Sequence, residues 1–149
     1  MRAVVQRVEW AKVAVSGETV GEIGRGLLVY LGIGKGDGEE DRGFVLRKIL
    51  GLRVFSNEAG KMDKSVVDVS GSLLVVSQFT LYGDVRRGLR PSFDGAMDPA
   101  EAERACDAFV LEARRVLPVQ TGRFRAHMNV TSHNDGPVTL IIDSERHRD

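Results

Sequence analysis

One cysteine in 149 residues leaves no partner for an internal disulfide and fits a reducing compartment. Long hydrophobic runs are missing too. Nothing approaches the roughly 18–20 apolar residues of a membrane span, and the opening Met1–Val5 becomes polar at Gln6-Arg7, unlike a signal peptide. Cytoplasm is the expected location. Excess charge of one sign is also absent, with Lys+Arg and Asp+Glu balanced at 21 each. The chain therefore lacks the global basicity of a broad nucleic-acid binder. No DNA partner is expected, and an RNA partner would be held by local patches. No repeat, linker or low-complexity run divides the chain, so residues 1–149 are expected to form a single domain.

Familiar catalytic signatures are missing as well. Gly32-x-Gly34-x-Gly36 does not fit G-x-G-x-x-G, and no G-x-x-x-x-G-K-[ST] occurs, so a tight turn explains these glycines better than a nucleotide cradle. The histidines at 127, 133 and 147 have no H-x-x-x-H spacing and no cysteine nearby, so neither a metal nor another cofactor is expected. Cys106 falls on an apolar helical stripe, where a thiol is normally inert. With no G-x-S-x-G elbow, a serine triad is not indicated.

What is present is a strand-rich pattern. Residues 2–8, 11–16 and 19–24 read as strands, with a turn at Ser16-Gly17-Glu18. The apolar run 26–33 suits a strand buried on both faces. Asp37 and Glu40 form a plausible capping box for a helix over about 38–50. Strand-like runs follow at 51–55, 65–69 and 72–82. A second helix begins at Asp98-Pro99 and places Ala102, Cys106, Phe109, Ala113 and Val116 at helical spacing, ending at Pro118. Residues 124–133 alternate, with Phe124 and Met128 on one face and Arg125 and His127 on the other. A turn at Asn134–Pro137 leads into a last strand, 138–143. Many strands with two main helices on one side give an α/β or α+β layered domain.

Two segments stand out as candidate chemistry. Ser77-Gln78-Phe79-Thr80 lies where a very hydrophobic strand emerges, a common place for a site and equally a simple strand edge. Strand alternation would put Ser77 and Phe79 on one face and Gln78 and Thr80 on the other. Asn134-Asp135-Gly136-Pro137-Val138-Thr139 reads locally as a hairpin-like turn. An X–Pro bond prefers trans by only ~0.5–1 kcal/mol, so a cis peptide is open to it. Two arginine clusters, Arg86/Arg87/Arg90 and Arg114/Arg115/Arg123/Arg125, are either solvated surface or RNA contacts.

Together the two segments resemble the D-aminoacyl-tRNA deacylase family, and the likeness covers essentially the whole chain. It includes Met1–Val8, Val20–Gly24, Gly26–Leu28, Phe55-Ser56, Lys61-Met62, Ser77–Leu81, Arg87-Gly88, Arg90–Phe93, Gln120–Gly122 with Phe124, and Asn134–Thr139. Ser77 and Phe79 match the main branch rather than a sister subfamily that differs at this motif. The resemblance implies a three-layer α/β/β fold, a homodimer with active sites at the interface, tRNA as partner and no cofactor. It implies hydrolysis of the ester joining a D-amino acid to the tRNA 3′ end.

Gly136-Pro137 matches a Gly-cisPro motif that enters the partner's pocket and confronts the chiral centre, and Arg7 matches the arginine steadying it. Phe79, Phe124 and Met128 match positions near the terminal adenosine. Arg125 and His127 depart from the residues many relatives carry, which bears on RNA contacts more than on chemistry. Glycine has no side chain to clash, so glycyl-tRNA mischarged on tRNA-Ala should also be accepted. Thr80 is a candidate nucleophile without an identifiable base. Water assisted by the substrate's 2′-hydroxyl, with backbone near Phe79-Thr80 holding the oxyanion, is the favoured alternative. A non-catalytic RNA-binding dimer and an esterase of small metabolites are the rival readings.

Overall fold

The computed structural model describes residues 1–147. Its centre is a six-stranded sheet in which β1 (Arg2–Val15) carries most of the pairing. Along one edge of β1 run β2 (Glu18–Ile23) and then β3 (Gly26–Gly32), both antiparallel to it. The expected break between residues 8 and 11 is instead a register shift, between Val8 and Trp10, within one continuous strand, because β1 has partners on both sides of it. β6 (Ser72–Ser77) lies parallel to β3, and β7 (Val119–Thr121) parallel to β6. The sheet coils until β7 meets β2. A Cβ on Gly21 would stand 2.3 Å from the Thr121 carbonyl oxygen, so only glycine lets the barrel-like sheet come this close to closing.

The apolar run 26–33 is buried on both faces, as its composition demands. Leu27, Val29 and Leu31 of β3 and Leu73 and Val75 of β6 face the helices. Leu28, Leu74 and Val76 face the other way, into the sheet's own concave interior with Val8, Ala11, Val13 and Ile23. Helix α1 (Glu39–Gly51) contributes Val45, Leu46 and Ile49 to the first cluster, and α2 (Pro99–Arg114) contributes Phe109, Val110 and Ala113. Helices, sheet and recurved sheet give the three layers expected. Fully burying one such aliphatic side chain stabilises by roughly 1.5–3 kcal/mol. The two clusters therefore hold the sheet against the helices and curl it on itself.

Several local expectations are overturned. The cap of α1 is Gly38 with Asp41, whose carboxylate accepts the Gly38 N–H at 2.9 Å. Asp37 is drawn away to the Met1 ammonium, 2.7 Å distant. Asp98 does occupy the N-cap of α2, yet its side chain caps nothing. Val116 lies beyond the helix and is exposed, while Leu117 is buried in its place. Residues 65–69 form a turn, not a strand, and of 51–55 the first residue ends α1, 52–54 is loop, and only Phe55 is strand, in the short pair β4 (Phe55–Ser56) and β5 (Met62–Lys64). Short apolar runs without a neighbouring ladder do not become strands.

The largest correction concerns the C-terminal strand. β8 (Asn129–Asp143) is one strand running straight through the supposed turn, because both of its halves pair with the same partner, β1. Gln6 pairs with Thr139 and Val8 with Asn134, so Arg7 alone stands opposite residues 135–138. The segment is a bulge in a ladder. Among the described residues β8 pairs with β1 only, leaving its other edge open beside exposed Leu140 and Ile141.

Candidate active site

The first half of the site lies where β3 and β6 end. The last rung is the Gln78 N–H donating to the Leu31 carbonyl at 2.8 Å. The chain then leaves the sheet as a 3-10 turn, Phe79–Tyr82, rather than continuing as strand to 82. Leu81 N–H donates to the Gln78 carbonyl at 3.2 Å, so the Phe79 and Thr80 amides precede the turn's own ladder. Strand alternation therefore stops at Ser77. The Gln78 side-chain amide reaches round to donate to the Thr80 hydroxyl, which alternation had placed with it on one face.

What bends the chain here is tertiary. The Tyr82 ring is buried against Gly34, where a Cβ would stand 2.6 Å from it. Arg2 lies over that ring, 4.4 Å from its centroid, and donates to the Leu81 carbonyl at 3.0 Å. Beneath them the Met1 ammonium pairs with Asp37 at 2.7 Å and donates to Ser144 Oγ, which in turn donates to Asp41 at 2.7 Å. Tyr82 donates to the same Asp37 at 3.5 Å. Burial, reinforced by the Asp37 charge, pushes the Tyr82 phenol well above its ordinary range, so it remains a neutral donor.

A cavity of about 680 Å³ opens at this turn, within the usual roughly 300–1,000 Å³ of a ligand site. Ser77, Gln78 and Phe79 form one wall. A loop carrying Phe93 and Met97 forms another; its backbone joins the end of β3 through Met97 N–H to Ile33 O at 3.0 Å. The Phe93 ring meets Phe79 edge-on at 5.0 Å. The third wall is Phe124–Met128. This stretch is a turn with Arg125 at φ 64°, not the start of a strand. Phe124 packs toward the helix-side cluster and Met128 toward the interior one, so they do not share a sheet face. Gly122 makes room for Met128, since a Cβ there would lie 2.6 Å from its sulfur.

The second half of the candidate site is the bulge. The Gly136–Pro137 bond is cis, and Gly136 has φ 126°, a conformation that L side chains rarely adopt. A Cβ on Gly136 would meet Arg7 Nη2 at 2.9 Å. Arg7 donates through Nε to the Asp135 carbonyl at 3.1 Å and through Nη1 to the Val54 carbonyl at 2.6 Å. The Asp135 carboxylate adds a contact at 3.3 Å. The neck of the bulge is closed by Asn134, whose side chain accepts from Val138 N–H and donates to Thr139.

The structure thus gathers Ser77, Gln78, Phe79, Phe124 and Met128 around one pocket, with Arg125 and His127 in its lining. Thr80 stands exposed beside it. Arg7, Gly136 and Pro137 do not line it. Roughly 20 Å of extended strand separates Asn129 from Gly136 at about 3.3 Å per residue. His133 pairs with Glu9 at 3.0 Å, and the side chain of His147 lies outside the described residues. Among the described residues no three His, Cys, Asp or Glu converge to hold a metal.

Burial pushes the Cys106 thiol up to about 11, against a Ser77 hydrogen bond that favours the thiolate. The thiol is therefore no nucleophile near neutrality. Of the first arginine cluster, Arg86 is chelated by Asp84, whose carboxyl these hydrogen bonds hold down to about 2. Sequence reasoning missed Phe93 and the Arg2–Asp37–Tyr82 brace. Phe93 stood in a matched segment, but nothing local linked it to Phe79.

The D-Tyr-tRNA(Tyr) deacylase family model matches residues 4–143. The D-aminoacyl-tRNA deacylase of Sorangium cellulosum (strain So ce56) is 58% identical over 148 residues, spanning 98% of this chain and 99% of that protein. The Thermotoga petrophila D-aminoacyl-tRNA deacylase is 56% identical over 147 residues, spanning 98% and 99%. Among solved structures, a c-Myc DNA Unwinding Element Binding Protein superposes with TM-score 0.92 at 44% identity, covering 96% of this chain and 98% of that one. A probable eukaryotic D-amino acid tRNA deacylase shares the fold, with TM-score 0.79 at 18% identity over 95% of this chain and 97% of that one.

Proposed function

The chain belongs to the D-Tyr-tRNA(Tyr) deacylase family and is a hydrolase of D-aminoacyl-tRNA; from that premise we propose how its two half-sites divide the reaction. The terminal adenosine of the tRNA occupies the pocket, where the exposed Phe79 ring and Phe124 offer stacking surfaces. The ester carbonyl lies toward the turn, whose Phe79 and Thr80 amides stabilise its developing negative charge. One such donor is typically worth 10²–10³ in rate. A water molecule attacks the carbonyl carbon, and the bond to the ribose oxygen breaks. The water's proton passes by way of the neighbouring ribose hydroxyl to the departing oxygen. Thr80, with its hydroxyl occupied by the Gln78 amide, positions the group rather than attacking it.

Chirality is enforced from outside the pocket. The bulge carrying Gly136 and Pro137 enters the pocket of a second copy of the chain and places its carbonyl where an L side chain would project. Glycyl-tRNA, with nothing to clash, is accepted, which suits proofreading of glycine mischarged on tRNA-Ala. The observation that carries this reading is the division of the candidate site: pocket residues gathered at one place, and an arginine-held bulge exposed away from it. The open β8 edge beside Leu140 and Ile141 supports a homodimer, since such an edge is ordinarily covered. A reducing cytoplasmic setting suits the lone buried thiol.

The test pairs deacylation of matched D-, L- and glycyl-tRNA with light scattering across a dilution series. Turnover of the D and glycyl esters alone, falling as a dimer dissociates, is expected. A monomer with full activity and unchanged D/L selectivity sinks the shared-site reading.

A further inference from the structure

A second cavity, of about 360 Å³, adjoins the first and shares Ser77 and Phe124 with it. Those two residues line both cavities. The second is also lined by Val110 and Leu111 of α2, and by Arg114 and Arg123. The linings of the two cavities together are cationic: Lys35, Arg114, Arg123 and Arg125 against Asp98 and Asp107. None of those four cations forms an ion pair among the described residues. Arg114 is aimed by its own backbone bonds, Nε and Nη2 both donating to the Val119 carbonyl at 3.2 Å, which leaves donors on its other edge. Arg123 is exposed. Leu111 is an exposed apolar side chain beside them, 62% accessible.

We propose that this second cavity seats the nucleotide preceding the terminal adenosine of the substrate, with the phosphates on either side of it held by Arg114 and Arg123. The proposal rests on the reading that the adenosine occupies the first pocket. A single-stranded 3′ end must leave that pocket somewhere. A positively charged groove with apolar surface for a base is the usual physical solution for such a strand. The two cavities are neighbours, since Ser77 and Phe124 line both. The other arginine group is less suited, because Arg86 is already neutralised by Asp84. Arg87 and Arg90 sit on an exposed loop that lines neither cavity.

The experiment compares two substrates, D-aminoacyl-tRNA and the 3′-D-aminoacyl ester of adenosine, which has no preceding phosphate. Wild-type protein should cleave both. Arg114→Ala/Arg123→Ala should lose about tenfold or more in kcat/KM on tRNA and less than about twofold on the adenosine ester. Its log–log salt dependence on tRNA should be shallower by about 1.4, two phosphates at ~0.7 each for a single strand. Arg123→Ala alone, an exposed substitution, should flatten the slope by about half as much and serves if the double variant does not fold.

Equal losses on both substrates, or no loss on tRNA, overturn the proposal. So does a loss that follows Arg87→Ala/Arg90→Ala instead, because the strand then leaves by the other side. If wild-type protein leaves the adenosine ester intact, the first-pocket reading is what fails, and the salt slope on tRNA still judges the second cavity by itself.

Discussion

At the mouth of the pocket, the turn Phe79–Tyr82 hangs from a buried polar network. At the bulge, residues 135–138 hang largely from one arginine. The network includes an ammonium, Asp37, Asp41, Ser144, Tyr82 and Arg2, drawn from both ends of the chain and from the start of α1. The Asp37 and Met1 groups are almost wholly removed from water, at 1% and 2% exposure. The bulge has the Arg7 fork and the Asn134 neck, with Gly136 and Pro137 themselves exposed. One half of the candidate site is over-determined and costly to disturb. The other is held by few bonds and so is sensitive to a single side chain.

The largest expected effect is on the network. Asp37→Asn leaves the Met1 ammonium buried without its counter-charge, and breaking such a pair typically costs 3–5 kcal/mol. Thermal denaturation should show Tm lowered by roughly 10 °C. A shift within about 2 °C would mean that the turn is not braced by this pair.

Next comes Arg7→Ala, which removes both carbonyl contacts at once. About 1–3 kcal/mol of stability should be lost, together with roughly 10²-fold in deacylation through a misplaced bulge. Arg7→Lys should recover only part, because a point charge cannot bridge two carbonyls as a fork does. Equal activity and D/L selectivity in the alanine variant would erase the contrast between the two halves.

A pH experiment sharpens the picture where the two cavities meet. Cys106 has its folded pKa raised from 9.0 to about 11 by burial. Its stabilising share is therefore complete below pH 9 and lost as pH rises toward 11, on the order of 2 kcal/mol. Denaturant midpoints should fall over that window more in wild type than in Cys106→Ala. Identical profiles would place the thiol in contact with water.

On the proposed positioned-water mechanism, Thr80→Ala should cost less than about tenfold in kcat, orientation rather than attack being lost. An acyl-Thr80 adduct, or complete inactivity in a folded variant, would restore covalent catalysis. The smallest effect belongs to the loop beyond the pocket. The depressed Asp84 carboxyl keeps its pairing with Arg86 above about pH 4 and loses it as pH falls toward 2. Both groups are exposed, so Asp84→Ala should leave Tm nearly unchanged.

Much of this molecule could be read from the sequence, and the reasons are local. Gly26–Ile33 had to be a strand buried on both faces because its apolar run leaves no polar side to face water. α2 was legible because Pro99 suits a helix start and the stripe Ala102–Ala113 has a helical period. The special residues of the bulge were also visible, since glycine frees its own backbone for unusual conformations and proline restricts its own. Likeness to a family directed attention to Arg7, whose partners no local pattern reveals.

Tertiary structure decided the rest, because hydrogen-bond partners are not written beside the residues that need them. Asn134–Pro137 looks like a chain reversal, yet β1 pairs with the chain on both sides of it and makes it a bulge. Thr80 looks like a strand residue, yet Arg2 and Tyr82 pull its segment into a turn against the N-terminus. Side-chain period and backbone restriction act within a few residues, so the sequence displays them directly. Which strand supplies the next ladder, and which buried charge finds which counter-charge, depends on contacts spanning more than a hundred residues, as Arg7 to Asp135 and Met1 to Ser144 do.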